Sequence, residues 1–233
     1  MTALDLRGAR VIPDAVWERA ELRRLVVADM ELTELPADVG RLTGLTTLDA
    51  AHNRLTSVPQ ELARLSALDI LYLGDNALTA VPDGVRALRG LRYLGIDDNN
   101  LDALPAWIGE LAALIELRIQ GNALASLPDT IGDLHALREL HTRGNGLTSL
   151  PPTIGRLGEL RVLDLRDNAL TTLPPTLFDL PHLRVLDLRA NPLRDLPPLP
   201  ESLEKLDLRW TPFFPDLPLA AQAVRARGGI VLN

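Results

Sequence analysis

The sequence predicts an α/β solenoid, with one parallel sheet on the concave face and short helical or 3₁₀ segments on the convex face. Three observations predict this architecture. Leucine recurs in a fixed frame, asparagine recurs at one place in that frame, and proline opens the second half of each unit. Self-similarity at a constant period of about 20 to 50 residues is typical of stacked repeats.

The frame reads L-x-x-L-x-L-x-x-N-x-L-x-x-L-P and recurs every 23 residues. It opens at Leu22, Leu45, Leu68, Leu91, Leu114, Leu137, Leu160 and Leu183. A ninth frame opens at Leu203 after a shorter step. The regular period predicts one continuous stack.

The frame resembles the leucine-rich repeat family along nearly the whole chain. The segments "LPDTIGDLHAL" and "LPPTIGRLGEL" are similar to the intracellular, Ras-group type of repeat found in bacteria and plants. The shortened step "LPPLPESLEKLDLR" is similar to repeats of secreted bacterial effectors. The resemblance implies a curved, right-handed horseshoe.

The two halves of the repeat are predicted to form different elements, a strand and a helical turn. In "LxxLxLxxN" the fourth and sixth positions alternate inward, which predicts a short strand in the concave sheet. In "LPxxIGxLxxL" the spacing of Ile131, Leu134 and Leu137 favours a short helix or 3₁₀ turn that proline opens.

The recurring asparagines are predicted to be structural. Each follows the strand, where a buried amide can satisfy backbone groups of its own turn and of its neighbours. The predicted ladder consists of Asn53, Asn76, Asn99, Asn122, Asn145, Asn168 and Asn191.

The chain is predicted to be a single domain, residues 1–233. Residues 1–21 are expected to form an N-terminal cap or partial repeat, residues 22–211 about nine repeats, and residues 212–233 a C-terminal cap. Met30 and Thr211 replace the ladder asparagine at the two ends, as end repeats require.

Apolar residues near both ends are predicted to cover the open core. Trp17 is expected to cover the N-terminal layer, and Phe213 and Phe214 the C-terminal layer. The C-terminal segment is predicted to form a helix that stops at Gly228 and Gly229, followed by a short apolar strand.

The composition of the chain indicates which classes of partner and which cellular compartment to expect. A net charge of −7 argues against a nucleic-acid or anionic-membrane binder, because these usually carry basic excess. The chain contains no cysteine, and its N-terminal segment lacks the pattern of a secretory signal. We therefore expect a cytoplasmic, bacterial monomer with a protein partner, with export as an effector left open.

No pattern of an enzyme is visible in the sequence. The four histidines lie in separate repeats and form no metal-ligand motif, and neither a phosphate loop nor a nucleophile elbow occurs. We predict no catalytic residue, metal or cofactor. The four histidines are His52, His135, His141 and His182.

Solvent-facing strand positions in the C-terminal half form two charged rows. The rows are Arg143, Arg166, Arg189 and Arg209, and Asp164, Asp187 and Asp207. One interpretation is a self-neutralising ladder that keeps the sheet soluble, in which Asp164 pairs with Arg166 and Asp187 with Arg189. The alternative is that the arginines recognise an acidic partner.

The middle repeats break that charge pattern and form a predicted partner-binding patch. Its members are Ile70, Tyr72, Tyr93, Asp97, Arg118, Gln120, His141 and Arg143, with Ile115 counted on the same face. Gly74 and Gly95 suggest a notch bounded by Tyr72, Asp97 and Arg118. Tyrosine and arginine are enriched at binding hot spots, although the two tyrosines could instead simply pack on each other.

Three further residues have open or modest roles. Thr142 occupies an inward position, where its hydroxyl is expected to bond a backbone carbonyl. Trp107 is expected to pack partly on the convex side. Trp210 could either close the core or anchor a ligand, and the sequence does not separate these roles.

The predicted function is a non-enzymatic module that binds a partner protein on its concave face. The resemblance to Ras-group repeats points to a small GTPase or a kinase or phosphatase complex as the class of partner, by analogy of fold. The alternatives are a secreted bacterial effector that captures a host protein and, less favoured, an enzyme or small-molecule site in the concave notch.

Overall fold

A computed structural model describes residues 2–233 and shows one open sheet of 11 parallel strands. The strands follow one another in chain order, so every strand pairs only with its sequence neighbours. This confirms the predicted solenoid with a parallel sheet and short 3₁₀ helices. Met1, the first residue of the predicted N-terminal cap, lies outside the described residues.

Every strand is three residues long. The strands are β1 (Ala3–Asp5), β2 (Arg24–Val26), β3 (Thr47–Asp49), β4 (Ile70–Tyr72), β5 (Tyr93–Gly95), β6 (Glu116–Arg118), β7 (Glu139–His141), β8 (Val162–Asp164), β9 (Val185–Asp187), β10 (Lys205–Asp207) and β11 (Ile230–Leu232). In β3 to β10 the middle residue is a leucine with no more than 1% exposure. The residues on either side of it therefore face away from the core.

Eight 3₁₀ helices form the other side of the described solenoid. They span Asp14–Glu18, Ala37–Arg41, Gln60–Arg64, Asp83–Ala87, Ala106–Glu110, Asp129–Asp133, Pro152–Arg156 and Pro175–Asp179. A proline precedes each one with φ near −60°, for example −69° at Pro128. Proline fits there because its fixed φ suits helix entry and its missing N–H would have no partner. No helix occurs in the shortened step between β9 and β10.

The seven ladder asparagines tie neighbouring turns together. Asn76 is typical: its Oδ1 accepts the N–H of Leu55 at 2.9 Å. Its Nδ2 donates to the carbonyls of Ala50, Leu73 and Gly74 at 3.1, 3.0 and 3.2 Å. One amide thus serves its own turn and the preceding repeat. At the end of the ladder Thr211 Oγ1 donates only within its own turn, to Leu208 O at 2.6 Å.

The N-terminal end is closed by an added strand and a tryptophan. β1 pairs with β2 in parallel register and so extends the sheet by one strand. Trp17 is 5% exposed and packs in the continuous hydrophobic core.

The C-terminal end is closed by helix α1 (Leu219–Ala226) and by β11, which pairs with β10. Ala221 and Val224 of α1 are fully buried. The helix ends at Ala226, and Gly228 beyond it has a φ of 92° that suits glycine. Gly229 N–H donates to Val224 O at 3.0 Å.

The predicted role of Phe214 is wrong. Phe213 is half-buried against the core, but Phe214 is 75% exposed. The buried face of α1 supplies the apolar cover instead, so the last layer does not need a second phenylalanine.

Candidate functional site: the concave face

Three rows of side chains face outward on the concave sheet, and strand register defines them. The first row contains the first residue of each strand, the second row the third residue, and the third row lies two residues beyond the strand. Ile70 and Tyr93 lie in the first row. Tyr72, Arg118 and His141 lie in the second row, and Asp97, Gln120 and Arg143 lie in the third. The predicted patch therefore spans strands β4 to β7, and we call these eight residues the central patch.

Two tyrosines and an arginine lie together at the middle of the central patch. The rings of Tyr72 and Tyr93 are tilted by 50°, with centroids 4.7 Å apart. The guanidinium carbon of Arg118 lies 5.9 Å from the centroid of Tyr93. All three side chains are half-buried. Because cation–π and aromatic contacts restrain them, they form a preorganised surface and not a set of mobile side chains.

The predicted notch beside the glycines is filled. A Cβ at Gly95 would lie 3.1 Å from Cε1 of Tyr93, and a Cβ at Gly74 would lie 3.0 Å from Oδ1 of Asp97. The two glycines therefore let Tyr93 and Asp97 lie close to the backbone of the sheet. The expectation of an open notch between Tyr72, Asp97 and Arg118 is wrong, because neighbouring side chains occupy the space that the glycines leave.

Burial changes the acid–base behaviour of this area. It raises the pKa of the Tyr93 hydroxyl, with the Arg118 charge acting in the opposite direction. Burial likewise raises the pKa of Asp97 above its ordinary value. The neutral hydroxyl can donate a hydrogen bond and accept one, which suits recognition of polar groups on a partner.

Sequence reasoning missed two acidic residues of the patch. Tyr93 is in register with Glu116, and Glu116 with Glu139, so both glutamates continue the first row. The prediction that Ile115 lies on this face is wrong, because Ile115 precedes β6 and Glu116 is the residue in register with Tyr93. The alternation of the frame could have identified Glu116, since it lies two residues before Arg118.

These glutamates balance the charges of the patch. Arg118 Nε donates to Glu116 Oε1 at 2.6 Å, and His141 Nε2 lies 3.1 Å from Glu139 Oε2. Glu116, Glu139 and His141 place one potential metal-ligand atom each within 4.8 Å of one another. Because Arg118 already supplies a positive charge at Glu116, an ion-pair network accounts for the cluster without a metal ion.

The arginine and aspartate rows are only partly paired. Arg189 Nε donates to Asp187 Oδ1 at 2.9 Å and also lies 3.4 Å from Asp207. Arg209 Nη2 lies 2.7 Å from Asp207. The predicted pairing of Arg166 with Asp164 is wrong, because Asp164 Oδ1 accepts the backbone N–H of Arg166 at 3.1 Å instead. The Arg166 guanidinium extends towards Trp210.

Thr142, Trp107 and Trp210 differ in burial. Thr142 is fully buried and its Oγ1 donates to Asp164 O at 3.0 Å, the type of bond expected from its inward position. Trp107 is half-buried and packs against the core on the convex side. Trp210 is 69% exposed, so it does not close the core.

No helix within residues 2–233 is both long and apolar enough to cross a lipid bilayer.

A stack of short parallel strands with amide ladders defines a repeat solenoid, and comparison with known families agrees. Leucine rich repeat profiles match residues 20–78, 43–101 and 135–193, and a second profile of the same kind matches residues 182–206. The matched segments cover more than half of the chain. The chain belongs to the leucine-rich repeat family, whose fold is typical of protein–protein interaction modules and generally of non-enzymatic scaffolds.

Solved structures of several repeat proteins are similar to this one. A leucine-rich repeat protein of Leptospira interrogans is 27% identical with a TM-score of 0.75, over 88% of this chain and 59% of that one. YopM, a leucine-rich effector protein from Yersinia pestis, is 29% identical with a TM-score of 0.70, over 82% and 50%. The Arabidopsis receptor kinase HAESA, in complex with the peptide hormone IDA and the co-receptor SERK1, is 26% identical with a TM-score of 0.78, over 91% and 38%.

The chain thus spans about three-fifths or less of the length of these three proteins. Among curated proteins, none matches it.

Proposed function

We propose that this protein is a non-enzymatic interaction module that binds a partner protein at the central patch of its concave face. The observation that supports this most is the cluster of Tyr72, Tyr93 and Arg118, which are packed together yet face away from the core. Tyrosine and arginine are the residue types that dominate binding energy at interfaces. They sit on short strands of a rigid sheet, so little conformational entropy is lost on binding.

The charges around the cluster favour a protein partner with mixed polarity. Glu116 neutralises Arg118, and Glu139 contacts His141, so the patch presents an aromatic centre with a balanced polar rim. Interfaces of proteins commonly have this arrangement. A nucleic acid is disfavoured because the chain carries a net charge of −7. We propose no cofactor, and a monomer before the partner binds.

A second candidate is a bacterial effector that captures a host protein. The similarity to YopM and the shortened repeat before β10 favour this alternative. Both candidates use the concave face and differ in compartment and in the source of the partner. A gene for a secretion chaperone next to this one, together with secretion of the protein into the culture medium, would favour the effector over a cytoplasmic scaffold.

The experiment is capture of partners on the purified chain, with Tyr72→Ala, Tyr93→Ala and Arg118→Glu as variants. Each should weaken binding of the same partner by about 2 kcal/mol or more, because each removes a central contact. Arg138→Glu is the matched control, since Arg138 is exposed in the neighbouring repeat but lies outside the three concave rows. Thermal unfolding of each variant verifies that the fold is retained.

If the three variants retain the partner as well as Arg138→Glu does, the central patch is not the binding site. Loss of binding in the control alone would place the interface on the side of the solenoid where Arg138 lies.

A further inference from the structure

Trp210 occupies a backbone position that tryptophan rarely takes. Its φ is 60°, and it follows β10 at the point where each repeat turns after its strand. The corresponding turns carry Asp29, His52, Asp75, Asp98, Gly121, Gly144, Asp167 and Ala190, all with positive φ. Glycine, aspartate and histidine tolerate this conformation, whereas a bulky residue is an outlier there.

Burial does not compensate for this strain. The residue is 69% exposed, so its ring gains little from the hydrophobic effect. Thr211, and not Trp210, takes the ladder position in this last turn. The fold therefore offers no reason for a tryptophan here, and strained, exposed side chains of this kind cluster at functional sites.

Two guanidinium groups hold the ring. Arg209 lies 5.6 Å from the ring of Trp210, and Arg166 lies 5.9 Å from it. Arg166 follows β8, two strands away, and reaches the ring across the repeat of β9, where the corresponding turn carries only the small side chain of Ala190. Both distances lie within the range of cation–π contacts. The ring is therefore fixed in solvent as a flat apolar surface with positive charge beside it.

Some of that positive charge is unpaired. Asp187 and Asp207 neutralise Arg189 and Arg209. Within residues 2–233, the guanidinium groups of Arg143 and Arg166 form neither an ion pair nor a hydrogen bond. Their donors remain free for carboxylates, which arginine binds in a two-pronged geometry.

We propose that Trp210, Arg166 and Arg143 form a second docking site for an acidic segment of a partner protein, which borders the central patch at Arg143 and does not include its tyrosine cluster. Carboxylates of the segment bind the two free guanidinium groups, and an apolar side chain of the segment lies on the ring of Trp210. The rest of this chain is acidic overall, so an acidic segment is attracted here and repelled elsewhere, which fixes its register. Two free cations are too few for a nucleic-acid backbone, whose binding scales with the number of phosphates neutralised.

The positive electrostatic potential around Trp210 can be tested without any partner, by quenching of tryptophan fluorescence in the full chain. Trp17 is buried and Trp107 half-buried, so the difference between the wild type and Trp210→Phe reports mainly Trp210. We expect iodide to quench this component more efficiently than caesium, because the guanidinium groups concentrate anions. Arg166→Gln should reduce the preference for iodide. Arg161→Gln, an equal charge change at an exposed arginine of the same repeat, should not.

Binding is tested with an octaglutamate peptide, and with octaglutamine as the uncharged probe. The indole N–H signal of Trp210 in nuclear magnetic resonance spectra should shift with octaglutamate and stay fixed with octaglutamine. Arg166→Gln and Arg143→Gln should each weaken octaglutamate binding by about three- to fivefold, the scale of one exposed ion pair. Tyr93→Ala and Arg161→Gln should leave it unchanged.

The proposal is overturned if octaglutamate leaves the indole signal of Trp210 in place, or if Arg161→Gln weakens binding as much as Arg166→Gln. It is also overturned if Tyr93→Ala abolishes binding, since the acidic segment would then occupy the central patch. These results do not depend on whether Tyr72, Tyr93 and Arg118 bind a partner of their own, so the two proposals can fail separately.

Discussion

Deleting the C-terminal cap, residues 212–233, should make the protein fray from that end and aggregate. The deletion removes β11 and α1, which cover the last core layer formed by Leu203, Leu206 and Leu208, each at most 2% exposed. It also leaves Leu208 N–H without Leu232 O, its acceptor at 2.7 Å. A repeat array without a capping unit exposes a contiguous apolar surface, which promotes association.

Point variants give a milder version of the same test. Val224→Asp places a charge at a fully buried position of α1 and should detach the cap. Ala223→Asp, at the exposed neighbouring position, is the matched control and should have little effect. Hydrogen exchange should rise in β9 and β10 of Val224→Asp and not of Ala223→Asp. Unchanged exchange in both variants would show that α1 does not protect the last repeats.

Replacing a central ladder amide should destabilise the fold strongly. Asn122 Oδ1 accepts Leu101 N–H at 2.9 Å, and Asn122 Nδ2 donates to Ile96 O at 3.0 Å and Ile119 O at 3.1 Å. Asn122→Leu leaves these backbone groups without their partner. Because each buried unpaired group costs about 1–3 kcal/mol, we expect a loss of about 3 kcal/mol in the free energy of unfolding, measured by denaturant titration.

The chain offers a matched control for this substitution. Asn100 is an exposed asparagine of the preceding repeat, and its side chain makes no hydrogen bond within residues 2–233. Asn100→Leu should therefore change the free energy of unfolding by less than about 0.5 kcal/mol. Equal effects of the two substitutions would mean that the amide bonds of Asn122 contribute no stability.

The architecture was predictable because the repeat specifies it redundantly. Each leucine position recurs at the same period, so a substitution in one repeat, such as Thr142 for an inward aliphatic residue, does not obscure the pattern. Pro128 and its equivalents mark where each 3₁₀ helix begins, because proline restricts both its own φ and the hydrogen bonding of the turn. The alternation of the strand likewise identifies which side chains leave the core.

The side-chain partners on the concave face were less predictable. Arg166 has a carboxylate two residues away, yet its guanidinium reaches across two strands to Trp210. This contact depends on the side-chain rotamer of Arg166 and on the small Ala190 between Arg166 and Trp210. Neither follows from the repeat pattern. Glu116, and not Ile115, is in register with Tyr93. Because a shift of one residue moves a side chain to the other face of a strand, a prediction that names Ile115 omits Glu116.

The repeat pattern also does not predict which residues cover the C-terminal end of the core. The frame ends before residue 212, so periodicity no longer assigns Phe213 and Phe214 to inside or outside. Only the packing of Ala221 and Val224 against the last layer shows that Phe214 is free to face solvent.

Site-specific photo-crosslinking tests the central claim, that the concave face binds the partner, most directly. A benzophenone amino acid replaces Tyr72 on the concave face or Phe178 on the convex face. Phe178 is a matched aromatic position because it is 50% exposed in the 3₁₀ helix Pro175–Asp179. We expect irradiation with the captured partner to give a covalent adduct from position 72 and none from position 178. An adduct from position 178 alone would contradict the account.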